Sequence, residues 1–116
     1  KNHFKMKYYH VTSFLNMIKI NDEGLKANKD GYIFVINTID LANYIAVGQL
    51  FMEDYALFEV NVDGLLLEKD IVGELGSKFQ FKIKTDLINT SKINNLGMFK
   101  ASKEEYQRTV EAMLYS

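Results

Sequence analysis

The sequence has no cysteine and a single arginine, Arg108. Without cysteine there is no disulfide and no thiolate metal ligand, a composition that fits a reducing cytoplasm. Only two histidines occur, His3 and His10, and neither stands in an H-E-x-x-H or similar spacing. No metal site is therefore expected. No apolar run approaches the roughly 18 residues of a membrane span, and the first residues lack the apolar segment of a secretory signal. A cytoplasmic location without a membrane partner follows as the expectation. The formal charge of -1 and the pI near 6.1 leave no standing positive field, so a nucleic acid would be at most a transient substrate. Internal repeats, low-complexity tracts and linkers are also lacking.

What is present reads as one domain over residues 1–116, since 47% apolar and 25% charged residues are ordinary globular fractions. Phe4, Met6, Tyr8 and His10 alternate with Lys5, Lys7 and Tyr9, predicting a half-buried strand over 4–11. Thr12 or Ser13 then caps a helix over about 14–22, with Leu15, Ile18 and Met17 inward and Gly24 as a left-handed cap. This places His10 at a strand end and Thr12 at a helix N-terminus, where amides and dipole are available to a polar ligand.

Asn28 to Gly31 reads as a turn and Tyr32 to Ile36 as a strand with Tyr32, Phe34 and Ile36 on one face. Thr38 caps a second helix whose apolar stripe is Ile39, Ala42, Ile45 and Ala46, with Tyr44 at its edge and able to reach a cleft. Asp54 to Val62 alternates and ends in the turn Val62-Asp63-Gly64, after which Leu65 to Asp70 reads as an irregular or short helical connection. Phe79, Phe81 and Ile83 alternate with Lys78, Gln80, Lys82 and Lys84, a strand with one core face and one polar face. A short strand near Met98 to Ala101 and the capping box Ser102-Lys103-Glu104-Glu105 follow, opening a helix with Tyr106, Val110 and Met113 inward. About five strands and three helices, not regularly alternating, indicate an α+β fold with antiparallel pairing.

The order Tyr8-Tyr9-His10-Val11-Thr12-Ser13, then Gly24-Leu25, then the unbroken run Gly31 to Tyr44 resembles the NAD-binding half of the ADP-ribosyltransferase family, over roughly residues 7–62. The second segment is similar to the rifampicin-modifying and poly(ADP-ribose)-type enzymes. The resemblance implies split antiparallel sheets with flanking helices around an NAD cleft. It further implies that His10 orients the adenosine ribose, the Val11 backbone holds the nicotinamide amide, Thr12 supports the loop, and Tyr32, Phe34 and Tyr44 line the nicotinamide pocket. The third family signature, a glutamate that stabilises the positive centre as nicotinamide leaves, falls on Gln80.

Two departures stand out. Phe34 replaces the family's tyrosine and can stack on a ring without donating a hydrogen bond, and Gln80 keeps a hydrogen bond and loses a charge. Loss of such a charge is expected to remove roughly 2–4 kcal/mol of transition-state stabilisation, about 30- to 1000-fold in rate. Gln80 can mark an inactivated variant, an enzyme that uses another acid such as Glu68 or Asp70, or a non-catalytic relative. A lone arginine disfavours the family's RNA 2′-phosphotransferase branch. The implied function is an NAD-dependent mono-ADP-ribosyltransferase of bacterial or phage toxin type, with His10 and Gln80 catalytic and an unknown macromolecular or small-molecule acceptor. An antitoxin or immunity protein is the partner such a toxin implies. The alternative is a catalytically inactive NAD-binding or interaction domain of the same fold, and a third reading is a scaffold in which His10 and the aromatics are structural. The strand alternation predicts that Gln80 lies across a concave, wet pocket from His10 with an aromatic ring between them.

Overall fold

Strand β1 (Lys7–Thr12) is the inner strand against which the rest assembles, in a computed structural model that describes residues 7–70 and 78–115. Phe4 and Met6, read as the start of this strand, lie outside the described residues. The other strands are β2 (Leu25–Lys26), β3 (Tyr32–Ile36), β4 (Asp54–Asn61), β5 (Leu67–Lys69), β6 (Gln80–Lys84), β7 (Leu87–Ile88) and β8 (Ile93–Lys100). Helices are α1 (Phe14–Glu23), α2 (Ala42–Gly48) and α3 (Lys103–Tyr115). Six strands form one sheet in the order β5-β6-β3-β1-β4-β8, every neighbouring pair antiparallel, and β2 and β7 form a second small sheet. The architecture is α+β, as the mixture of elements predicted.

Directly opposed residues of an antiparallel pair share a face, so the registers sort the side chains. Tyr8 opposite Val60, Ile33 opposite Ile83 and Val35 opposite Phe81 face one side. There they join Ile20 of α1, Leu25 of β2 and Ile88 of β7 in the first core. Tyr9 opposite Ile36 and Val11 opposite Leu57 face the other side and pack with Leu41, Ala42, Ile45 and Ala46 in the second. With both faces covered, β4 does not alternate as predicted: Tyr55, Ala56, Leu57 and Phe58 are all buried.

Several readings are corrected. Leu65 to Asp70 is not irregular or helical throughout, because Leu67–Lys69 pairs with β6. The final strand runs over all of Ile93–Lys100. In α1 the inner face is Ile20 and Met17, whereas Leu15 and Ile18 are 71% and 49% exposed. Phe14, Leu15, Met17, Ile18 and Ile20 spread over more than half of this helix's circumference, so periodicity could not choose a narrow face. Thr38 caps a single 3-10 turn over Ile39–Leu41 that leads into α2, and Ile39 is exposed. Phe79 packs in the second core and Phe81 and Ile83 in the first, because Phe79 precedes the strand. Helix α3 buries no residue fully; Ser102 Oγ caps it by accepting from Glu105 N, and the Ser102 N–H donates to Asn43 Oδ1 at 2.7 Å.

Gly24 ends α1 as predicted, but with φ 87° and ψ 178°, an extended conformation of positive φ rather than the left-handed helical one. A Cβ there would come within 2.7 Å of the Ile88 carbonyl oxygen, so the close approach of β7 adds to the backbone restriction. Gly24→Ala is expected to destabilise the fold by about 2–4 kcal/mol, read as a lowered urea midpoint at unchanged slope.

Candidate functional site

His10 stands where β1 and β3 part. Among the described residues only Tyr9 and Ile36 are paired between these strands, whereas all six residues of β1 pair with β4. In place of further ladder bonds, the His10 ring crosses the opening and its Nδ1 lies 2.7 Å from the Phe34 carbonyl oxygen. A carbonyl can only accept, so Nδ1 carries the hydrogen and Nε2 of the neutral ring is left as an acceptor. Withdrawal of the ring from water pushes its pKa below 6.5, outweighing the Phe34 bond, which pulls it up.

Two cavities meet at this histidine. One, of about 430 Å³, is of mixed polarity and lies between the end of β1, α1 and β2, with His10, Thr12, Asn16, Lys19, Glu23 and Lys26 on its walls beside Ile20 and Leu25. The second, of about 390 Å³, is mainly apolar, lined by Tyr9, Val11, Phe34 and Leu50 together with His10, Asp70 and Gln80. Both fall in the ~300–1,000 Å³ range of small-molecule sites. The first takes its polarity from local sequence: Ser13 Oγ accepts from Asn16 N at 3.1 Å to start α1, and Lys26 pairs with Glu23.

The structure thus brings His10, Val11, Phe34 and Gln80 to one cavity and His10 with Thr12 to the other. It does not bring Tyr44 or Tyr32 to either. The Tyr44 ring stacks on Tyr106 of α3 at 5.4 Å between centroids, so the helix stripe edge met another helix rather than a cleft. Tyr32 lies on the open sheet face, with the ammonium groups of Lys82 and Lys84 at 4.6 and 5.2 Å from its ring centroid.

Gln80 opens toward the same cavity as His10, with Phe34 also at the wall, but it is not wet: it is 7% exposed. Its amide forms a closed pair with Gln49, whose Nε2 donates to Gln80 Oε1 at 2.8 Å while Gln80 Nε2 donates to Gln49 Oε1 at 3.0 Å. Sequence reading passed over Gln49, although its place four residues after Ile45 puts it on the sheet-facing stripe of α2. Asp70 donates its backbone N–H to the Gln80 carbonyl at 2.9 Å and is the carboxylate lining this cavity among the described residues. Burial pushes the Asp70 pKa up, and the charge of Lys82 opposes that. Glu68, the other acid considered, is exposed on β5 and lines neither cavity.

Two outcomes are expected. Gln49→Leu strands the buried Gln80 amide and should cost about 1–3 kcal/mol, whereas Gln49→Leu/Gln80→Leu recovers most of it; additive losses in urea melts would contradict a closed amide pair. For His10, the unfolded chain takes up a proton near 6.5 and the folded chain only at lower pH. Its contribution to stability is therefore full above that value and shrinks as pH falls below it, by at most about 1.4 kcal/mol per pH unit. His10→Asn, which can still donate to Phe34, should flatten the urea midpoint between pH 7.5 and 5.5. No protein-family model matches the chain and no curated protein matches it.

Proposed function

We propose that this chain is an NAD-binding domain of ADP-ribosyltransferase type, with split antiparallel sheets around the cleft, that transfers ADP-ribose from NAD to an acceptor. The observation that carries the reading is the position of His10, shared by a mixed cavity with charged walls and an apolar one, with Nδ1 fixed by Phe34 and Nε2 left as an acceptor. An extended ligand with one polar and one flat apolar end suits that pair of cavities.

In this reading Nε2 of His10 accepts from an adenosine ribose hydroxyl, and Thr12, Asn16 and the ammonium groups of Lys19 and Lys26 solvate the polar half. Phe34 offers a ring wall to the nicotinamide and the Val11 backbone offers its amide a partner. NAD supplies the glycosidic bond that breaks when nicotinamide leaves. Asp70, the carboxylate lining the apolar cavity among the described residues, supplies negative charge for the positive charge that develops on the ribose, and Gln80, held by Gln49, provides hydrogen bonding without charge.

The second reading, an NAD-binding domain without turnover, is favoured by the closed Gln49–Gln80 amide pair, which occupies the polar groups at the position of the third signature. Labelled NAD incubated with candidate acceptors separates the two. The chain as it stands should release nicotinamide slowly, Asp70→Asn should lower that rate about 10- to 100-fold, and Gln80→Glu should raise it tenfold or more. Because position 80 is buried, the introduced carboxylate is expected to cost about 1–3 kcal/mol of stability. Calorimetric binding of NAD without turnover by any variant supports the second reading. Neither binding at millimolar NAD nor cleavage by any variant rejects both.

A further inference from the structure

Among the described residues, no element covers the outer part of the sheet face that carries the apolar cavity. Opposed pairs Tyr32–Lys84 and Phe34–Lys82 lie on the same face as Ile36–Gln80, but α2 covers only the Ile36 end. Beyond it the Phe34 ring is 39% exposed and Tyr32 is half-buried. The ammonium groups of Lys82 and Lys84 both lie close to the Tyr32 ring. Glu68 stands opposite Lys82 on β5, yet among the described residues the ion pairs within 4.0 Å are Lys7 with Glu59 and Lys26 with Glu23. The two lysines are thus held side by side over an aromatic ring; the charge of Asp70 acts on Lys82, and among the described residues neither lysine makes an ion pair within 4.0 Å.

We infer that this platform binds a single-stranded nucleic acid and presents it at the mouth of the apolar cavity. The chemistry of the face selects that ligand: ring faces accept stacked bases, and the adjacent ammonium groups meet the phosphates between them. An acidic peptide would use the charge and leave the rings idle, and a purely apolar partner would strand the two charges. Phe34 belongs to both the platform and the cavity wall, so the bound strand ends at the place where chemistry is proposed. The role as acceptor rests on the proposed transferase reading; the binding does not. The overall charge of -1 makes the attraction local, and the complex is accordingly weak and quickly exchanging.

The test is fluorescence anisotropy of dye-labelled oligouridine and oligothymidine dodecamers with the whole chain and no NAD. At 50 mM salt a Kd of roughly 10–100 µM is expected, with a log–log salt slope near -1.4 for two neutralised phosphates. Lys82→Gln and Lys84→Gln should each weaken binding several-fold and halve the slope. Tyr32→Ala and Phe34→Ala should each weaken it about tenfold and leave the slope unchanged. All four positions are on the open face, and circular dichroism checks that each variant is folded. The inference is overturned if the ring variants bind as the parent does, if polyglutamate of equal length competes as well as the oligonucleotide, if a duplex binds as tightly, or if no binding is detected at 1 mM chain. Failure of NAD cleavage with oligonucleotide binding retained removes the transferase reading alone, and NAD cleavage without oligonucleotide binding removes this inference alone.

Discussion

The hydrogen bond from His10 to the Phe34 carbonyl oxygen is the contact on which the arrangement of the cleft depends. Two neighbouring strands of one sheet normally satisfy each other's backbone groups along their length, and an opening between them leaves polar groups without partners. Here β1 and β3 share one paired position and then part, and the imidazole spans the gap. The ring can do so only with hydrogen on Nδ1, so the bond spans the strand separation and, in the neutral ring, leaves Nε2 as the free acceptor. Burial reinforces the neutral form.

Both faces of the sheet are then covered over its central strands β1 and β4, whereas β8 at the edge stays largely exposed. Helix α1 with the small β2-β7 sheet closes one side and α2 with α3 the other, which leaves Phe58, Val60, Leu57 and Ile83 with almost no contact with water. The polar groups caught inside are matched one to one. Asn43 receives the Ser102 N–H and donates to the Ser102 carbonyl, and Gln49 and Gln80 satisfy each other. Among the described residues no buried side-chain nitrogen or oxygen lacks a partner. Open surface remains at the cleft around His10 and on the outer face of β3 and β6, where aromatic rings and lysines stand together.

The polar pairings also fix what the helices do. Asn43 and Tyr44 follow Ala42 in the sequence, and both reach outward from α2 to α3: the amide to the cap residue Ser102, the ring to Tyr106. Gly48 lets this approach happen, since a Cβ there would fall 2.5 Å from the Tyr106 ring. The short helix α2 is therefore held between sheet and terminal helix, with Gln49 at its end placed against Gln80.

By itself the sequence determined the elements that local chemistry dictates. The strand that carries His10, a hydroxyl cap at Thr12 or Ser13 that the structure places on Ser13, the positive-φ glycine at 24, the Asn28 turn, the Tyr32–Ile36 strand and the Ser102 cap all follow from side-chain alternation, hydroxyl or amide caps and the freedom of glycine. The α+β class was legible for the same reason, but the approach of His10 to Phe34 and Gln80 was not, because alternation puts His10 on the face of Tyr8 and Phe58 and puts Phe34 and Gln80 on the face of Ile36; the parting of β1 and β3 brings the imidazole to their cavity. Tertiary structure decided what alternation leaves open. A broad apolar arc on α1 has no preferred side until the sheet supplies one, and a strand covered on both faces stops alternating. Gln80 reads as wet from its own strand, and only the arrival of α2, carrying Gln49, makes it buried and paired. Burial and partner identity are properties of the neighbours brought by the fold, and those neighbours lie up to dozens of residues away along the chain.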